Sequence, residues 1–343
     1  MAYVFGDSWD CYAAVADAAL GYWDSVTPST ATLVAGRFSG SQAINTTNAA
    51  FVSVKSSGVN DAVHHVSVAY RQTSALTGTT LGMYLQLTDN ITNQCCIVFR
   101  SDGVVLLTSA TPGGTVLATY AGAVSAANTW TQFEFEVVIH NTAGSFKARK
   151  NGSTTDDHST TGINTRPGAN AYANKLTLAF NGAINAIQFD DLLWRSDAAS
   201  VPWVGDIRAY TRMPAGDATA VFSRSTGATN FSCVDETLQN GLTDYVFSAN
   251  VNDADFYTIA ATATTPASVV AVTTRGFLAK SDAGAKSAAV QLKSGGVTVT
   301  STSTALSTSF GWLWRTDVLD PGTSAAWTNG AVNSVQIGPK VTA

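Results

Sequence analysis

The chain has 343 residues, a formal net charge of −5, a pI near 5.3 and only 13% charged residues. That length predicts about two domains, and with Glu134, Glu136 and Glu236 as its glutamates the surface is not that of a helical protein. No basic stripe is present, which excludes a nucleic-acid footprint, and no apolar run approaches the ~20 residues that cross a bilayer.

At the N-terminus, Val4 and Phe5 predict an edge strand. Asp10 is placed to cap a short helix through about Leu20, and Gly21 to end it. Asp7, Asp10 and Asp17 interrupt the apolar residues, so no secretory signal peptide is expected. From Thr32 to Trp194 short strands alternate with polar turns. Val66, Val68 and Tyr70 share one face, as do Met83, Leu85 and Leu87, then Cys95, Ile97 and Phe99. Phe133, Phe135, Val137 and Ile139 alternate with Glu134, Glu136 and His140; Leu176, Leu178 and Phe180 follow, then Ile187 and Phe189. Turn signals separate them, among them Ser101-Asp102-Gly103, Pro112-Gly113-Gly114 and the hairpin signal Asn151-Gly152.

The stretch Phe189 to Trp194 reads as the last strand of one β-sandwich, and Trp203 to Arg208 as the first strand of another. Arg195 to Pro202 between them has a linker's Ser/Asp/Ala/Pro composition. Beyond it, Tyr245 to Val251, Phe256 to Ala261, Ser268 to Thr274, Ala288 to Lys293, Val297 to Thr302 and Phe310 to Arg315 predict further strands, with Gly295-Gly296 as a turn. Regular short strands without a long helix mean antiparallel sandwiches. The expected architecture is all-β, two antiparallel sandwiches in tandem, residues 1–200 and 201–343.

Four motif groups resemble bacteriophage virion proteins with a laminin-G/concanavalin A-like jelly-roll domain. They are Phe5-Gly6-Asp7-Ser8-Trp9-Asp10-Cys11-Tyr12 with Tyr22-Trp23; Phe189-Asp190-Asp191 running to Trp203-Val204-Gly205-Asp206-Ile207-Arg208; the paired strands from Trp130 to Ile139 and from Gly144 to Asn151-Gly152; and the ending Asp320-Pro321-Gly322-Thr323, Trp327-Thr328, Ile337-Gly338. Asp244-Tyr245-Val246 adds to them. The resemblance implies that both sandwiches are jelly rolls. It implies a non-enzymatic structural protein of the virion, in a fibre, spike or tail-associated position, assembled in the host bacterial cytoplasm and contributing to host attachment. Its expected partners are other virion proteins and further copies of itself, a trimer before a dimer. A lectin that binds host surface glycan is the alternative, and an enzyme that cuts surface polysaccharide is the third reading.

Candidate chemistry is sparse. A retaining glucanase needs two carboxylates ~5–5.5 Å apart, and Glu134/Glu136 is the one Glu-x-Glu. Opposite the apolar Phe133/Phe135/Val137 face, that pair is expected on an exposed polar face, with Val138 where a third carboxylate would stand. Asp190 and Asp191 are adjacent and are expected on opposite faces, unable to act together. The resemblance implies them as contributors to a rim Ca²⁺, but no Asp-x-Asp-x-Asp-Gly loop accompanies them, and no metal or cofactor is expected. His64 and His65 point to opposite faces, and His140 and His158 stand alone. Cys11, Cys95, Cys96 and Cys233 have no Cys-x-x-Cys spacing and are expected to be buried free thiols. The sequons at Asn45, Asn90, Asn151 and Asn230 are expected by chance in so Asn/Ser/Thr-rich a chain. Trp312, Trp314 and Trp327 cluster near the C-terminus and are the candidate subunit interface.

Overall fold

The computed structural model describes residues 3–28, 30–47, 51–180, 185–262 and 264–343. The chain forms two compact units. The first comprises Met1–Asp10, Ala14–Ala19 and Trp23–Tyr210; the second comprises Cys11–Ala13, Leu20–Tyr22 and Thr211–Ala343. Each is built almost wholly of antiparallel β-structure, as the alternation predicts.

The strands of the first unit are β1 (Tyr3–Asp7), β2 (Ser25–Thr27), β3 (Thr32–Ala35), β4 (Gln42–Thr47), β5 (Phe51–Asp61), β6 (Val63–Gln72), β7 (Leu81–Asp89), β8 (Thr92–Arg100), β9 (Val105–Ser109), β10 (Val116–Tyr120), β11 (Thr131–Val138), β12 (Gly144–Lys150), β13 (His158–Ile163), β14 (Ala173–Phe180) and β15 (Asn185–Asp197). They make two sheets. The eight-stranded one runs β13-β12-β11-β6-β15-β4-β3, with β1 also paired to β15; the seven-stranded one runs β10-β9-β8-β7-β14-β5-β2. Rings from the two inner faces meet. Phe99 of β8 stacks on Tyr70 of β6 with centroids 4.4 Å apart and meets Phe133 of β11 edge-on at 5.3 Å. At the other end Phe180 of β14 lies 5.2 Å from Phe189 of β15. Such ring pairs add to the burial of apolar area that chiefly holds a sandwich together.

Cys95 and Cys96 of β8, together with Cys11 and Cys233, are buried free thiols. The expected helix from Asp10 to Leu20 is instead one 3₁₀ turn, Val15–Ala19, because the Asp10 carboxylate is engaged elsewhere, accepting the Gln42 N–H at 2.8 Å. Asp17 caps the turn by accepting from Ala14 N at 2.8 Å.

One further expectation fails at the junction. Trp203 to Arg208 forms no strand and bends at Asp206, with Gly205 at φ 78°, because the backbone N–H groups of Val204 and Gly205 are taken by the Glu134 carboxylate of the eight-stranded sheet. For the same reason the first unit runs on to Tyr210 and does not end at residue 200.

In the second unit the strands are β16 (Pro214–Thr219), β17 (Ser223–Arg224), β18 (Val246–Phe247), β19 (Phe256–Ile259), β20 (Val272–Leu278), β21 (Ser287–Ser294), β22 (Val297–Thr300), β23 (Thr304–Ala305), β24 (Gly311–Asp317), β25 (Leu319–Asp320), β26 (Ala325–Ala326) and β27 (Gln336–Val341), with a 3₁₀ turn at Phe231–Cys233 and an α-helix, α1 (Asn329–Ser334). A six-stranded sheet runs β16-β19-β27-β21-β22, with β23 on β21. The β20/β24 ribbon forms a second layer over it. Gly276 of β20 permits this close approach, since a Cβ there would stand 2.9 Å from Val290 Cγ1 of β21. The core holds Leu292, Trp327, Val332 and Val335. The strand expected over Tyr245 to Val251 shrinks to two residues because Ser248, Asn250 and Asp253 hydrogen-bond one another into a turn, with Asn252 at φ 76°.

Candidate functional site

The outer face of the eight-stranded sheet carries rows of polar and charged side chains. On β6 the inward set is His64, Val66, Val68 and Tyr70, so His65, Ser67, Ala69 and Arg71 face out. On β11 Gln132, Glu134 and Glu136 face out beside them, in register with Ala69, Ser67 and His65. Lys147 and Arg149 of β12 continue the rows across Glu136 and Glu134.

A strap formed by residues 203–210 lies on this face. Glu134 is its principal anchor. The carboxylate accepts from Val204 N at 2.9 Å, from Gly205 N at 2.9 Å and from Arg195 Nη2 at 3.2 Å. It is buried, contrary to the exposed position expected of it, because the strap covers it. Beside it the His65 ring lies between Glu134 and Glu136, with Nε2 3.0 Å from Glu136 Oε2. Lys147 Nζ donates to the other Glu136 oxygen at 2.9 Å. The His65 hydrogen bond, seconded by Lys147, draws the Glu136 pKa down to about 2. Both glutamates are thus occupied as acceptors.

The strap's second anchor arises from a bulge in β15. Asp190 pairs with Ala69 but Leu193 with Ser67, so one extra residue sits in β15. Asp191 takes it up in a left-handed conformation, φ 50°. The partner strand changes at the same place, from β4 at Phe189 to β1 at Leu192. The bulge overturns the expectation that Asp190 and Asp191 diverge, since both carboxylates converge on Arg37. Asp190 Oδ2 accepts from Arg37 N at 2.8 Å, and Asp191 Oδ2 lies 3.7 Å from Arg37 Nη1. Asp191 Oδ1 accepts from Ala209 N of the strap at 2.8 Å, and Arg37 reaches on to Asp206 and to the Ile207 carbonyl. Burial pushes both carboxyl pKa values above the ordinary range, and the charge of Asp190 adds to the effect on Asp191. Among the described residues no group of three or more His, Cys, Asp or Glu side chains is arranged to hold a metal.

Along the row next to the strap the sheet is open. Register aligns Thr131 with Tyr70, Arg71 with Gln188 and Gln188 with Asn45. Four outward side chains therefore run in line across four strands: Trp130 at the start of β11, Arg71 of β6, Gln188 of β15 and Asn45 of β4. The Arg71 guanidinium carbon lies over the Trp130 ring, 5.0 Å from its centroid, a cation–π contact. Arg71 Nε donates to Gln188 Oε1 at 2.7 Å, and Gln188 Nε2 donates to Asn45 Oδ1 at 3.2 Å. Trp130, Arg71 and Asn45 are half-buried. Gln188 is buried and links its neighbours, so Trp130, Arg71 and Asn45 are the members of the row that reach solvent. Beside the strap Gln132, Glu134, Arg149, Asn151, Gly152 and Gly205 line a shallow depression that encloses no space for a small molecule.

The remaining candidates are placed as follows. His64 faces inward and stacks on Trp194, whose Nε1 donates to His64 Nδ1 at 3.2 Å. His140 caps its own loop by accepting from Thr142 N and Ala143 N, and His158 stacks on Tyr120. Trp327 is buried in the core of the second unit, its Nε1 donating to Asp317 O at 2.8 Å. Trp312 is also buried, against Tyr12 and Phe277. Trp314 remains half-buried, edge-on to Tyr22.

The chain matches no family model and no curated protein. Solved structures similar to it are lectins and domains of carbohydrate-active proteins. One is a conserved carbohydrate esterase from the Shiga toxin-encoding bacteriophage phi24B, 14% identical, covering 58% of this chain and 98% of that one with a TM-score of 0.40. Another is domain 4 of an extracellular arabinanase from Geobacillus stearothermophilus, in complex with arabinotriose: 16% identity, 58% and 95% coverage, TM-score 0.41. A third is winged bean acidic lectin complexed with methyl-α-D-galactose: 7% identity, 57% and 98% coverage, TM-score 0.36.

Proposed function

We propose that the protein is a non-enzymatic glycan-binding β-sandwich protein that reads its ligand on the open row of the eight-stranded sheet. The observation that carries this is the Trp130–Arg71–Gln188–Asn45 line, in which a cation–π contact and hydrogen bonds hold an indole and three planar polar groups in one row. A sugar ring offers a C–H face to an aromatic and hydroxyl pairs to planar donors and acceptors. A surface already fixed loses little side-chain entropy on binding. Non-enzymatic action fits the occupation of Glu134 and Glu136 by the strap, His65 and Lys147. The test is binding of the full chain to immobilised glycans. Trp130→Ala is expected to weaken capture at least about tenfold, the scale of one lost stacking contact. Capture of no glycan at millimolar concentration would refute the reading.

The second reading places this protein on a phage particle as a fibre, spike or tail-associated component, made in the host cytoplasm and contributing to attachment. It is favoured by the motifs Trp203 to Arg208 and Asp320 to Thr323, and it is compatible with glycan binding. Peptides of the chain in purified virions would support it, and their absence from particles would count against it. Self-association, a trimer before a dimer, belongs to the same proposal. Half-buried Trp314 is the member of the C-terminal tryptophan group with ring surface to contribute, and light scattering on the intact chain checks it.

A further inference from the structure

Resting on the reading of the open row as a glycan site, we infer that the ligand is an acidic glycan and that its carboxylate docks on Arg71. Four other cations of this face are held by carboxylates. Arg37 holds Asp206 at 2.7 Å, Lys147 holds Glu136 at 2.9 Å, Arg149 holds Asp156 at 2.8 Å and Arg195 holds Glu134 at 3.2 Å. Arg71, among the described residues, has no carboxylate partner. Its contacts among the described residues are the Trp130 ring, over which its guanidinium lies, and the single bond from Nε to Gln188. A guanidinium has five N–H donors, so the four on Nη1 and Nη2 remain for a ligand.

The orientation is set by the Nε bond. The Gln188 carbonyl takes Nε, Asn45 in turn holds the Gln188 amide, and the guanidinium carbon lies over the Trp130 ring, 5.0 Å from its centroid. The terminal Nη1/Nη2 edge is therefore presented as a fork, the geometry that matches the two oxygens of a carboxylate and gives a bidentate, charge-assisted pair. Asp190, in the adjoining row, already accepts from Arg37 N, Ser41 Oγ and Asp191 N, and so does not compete for Arg71. A sugar whose ring carries a carboxylate meets both requirements of the row, a C–H face for Trp130 and an anion for Arg71. Uronic acids and sialic acids share this chemistry.

The test uses the full chain on matched oligosaccharides, each uronic acid beside its methyl ester and its neutral hexose counterpart, and each sialylated glycan beside its desialylated form. Dextran sulfate serves as a control for charge alone. The expected result is at least about tenfold tighter binding of an acid form than of its ester, the scale of one charge-assisted bidentate pair. Arg71→Gln removes that ratio, Arg71→Lys restores it only in part, and Trp130→Ala weakens acid and ester alike. Equal binding of acid and neutral forms, unchanged in Arg71→Gln, overturns the inference and leaves the glycan reading standing. Binding of dextran sulfate as tight as of the acid forms and insensitive to Arg71→Gln also overturns it. Binding of none of the glycans overturns both. Circular dichroism of each variant identifies one that has lost its fold, and Arg71→Lys then decides.

Discussion

The carboxylate of Glu134 accepts the backbone N–H of Gly205 at 2.9 Å, although 71 positions separate them in the chain. With the Val204 and Arg195 bonds it turns what would be an exposed strand face into a buried junction between sheet and strap.

Removing that acceptor leaves Arg195, itself buried, without its counter-ion and with only the Pro202 carbonyl to donate to, and leaves two backbone N–H groups without an acceptor. Loss of one member of a buried pair costs about 3–5 kcal/mol. Glu134→Ala is expected to destabilise the first unit on that scale, and Glu134→Gln by less, since its amide oxygen still accepts one N–H. Urea denaturation reads the loss, and hydrogen exchange at Val204 and Gly205 reads the release of the strap. Unchanged stability and slow exchange in Glu134→Ala would show that the strap is held by other contacts.

Between pH 6.5 and 4, above the range in which Glu136 takes up its proton, His64 shapes the acid side of the stability profile. An indole N–H can only donate, so the bond from Trp194 requires a bare Nδ1, and the ring proton sits on Nε2, 2.9 Å from the Asp61 carbonyl. Burial lowers the His64 pKa from 6.5 to about 4. The unfolded chain therefore binds a proton between those values that the folded chain does not, so this contribution to stability is complete above pH 6.5 and declines as pH falls toward 4. His64→Gln, which keeps an acceptor for Trp194, is expected to lack that slope in denaturation series across the window. A slope identical to that of the wild type would assign the acid loss to other groups.

Asp190 and Asp191 act in the opposite direction. Their carboxyls are raised first by burial, with the Asp190 charge adding to the effect on Asp191 and the Asp10 charge adding to both, so the folded chain holds protons that the unfolded chain has released. Stability falls as pH rises out of the ordinary carboxylate range. Asp191→Asn keeps the acceptor for Ala209 and removes the titration. Its midpoint of denaturation is expected to fall less between pH 5 and pH 9 than that of the wild type, and an equal fall would refute the assignment.

Truncation separates the two possible ends of the first unit. A fragment ending at Tyr210 keeps the bonds of Glu134 and Asp191 to the strap, whereas one ending at residue 200 loses them all. The longer fragment is expected to be the more stable and the more resistant to limited proteolysis. Equal midpoints would mean that the strap contributes nothing to the fold.

The alternation of Phe133, Phe135 and Val137 with Glu134 and Glu136 is enough to place β11 and its inner face. It cannot show what covers the outer face, because the cover comes from residues 203–210, whose apolar positions at a spacing of two imitate a strand. The bulge was hidden for a related reason. Asp-Asp in a strand reads as two opposed side chains unless the second is left-handed, and Asp191 has φ 50°. The open row was out of reach of any local pattern. Asn45, Arg71, Trp130 and Gln188 lie on four strands and become neighbours only through pairing register; Asn45 reads in the sequence only as the start of a sequon.

The extra residue in β15 also bears on how the chain tolerates change in length. Before the bulge the inward residues are odd-numbered, Ile187 and Phe189; after it they are even-numbered, Leu192 and Trp194, all fully buried. Two strand halves of opposite phase are joined at Asp191. Deleting that one residue would bring them into a single phase with Leu192 and Trp194 still inward, but would take from the strap its Asp191 anchor on Ala209 and Arg37, whereas deleting a residue from the Pro112–Gly113 turn would remove no anchor. Insertions and deletions, more than substitutions, would reveal how much of the sandwich depends on the left-handed aspartate.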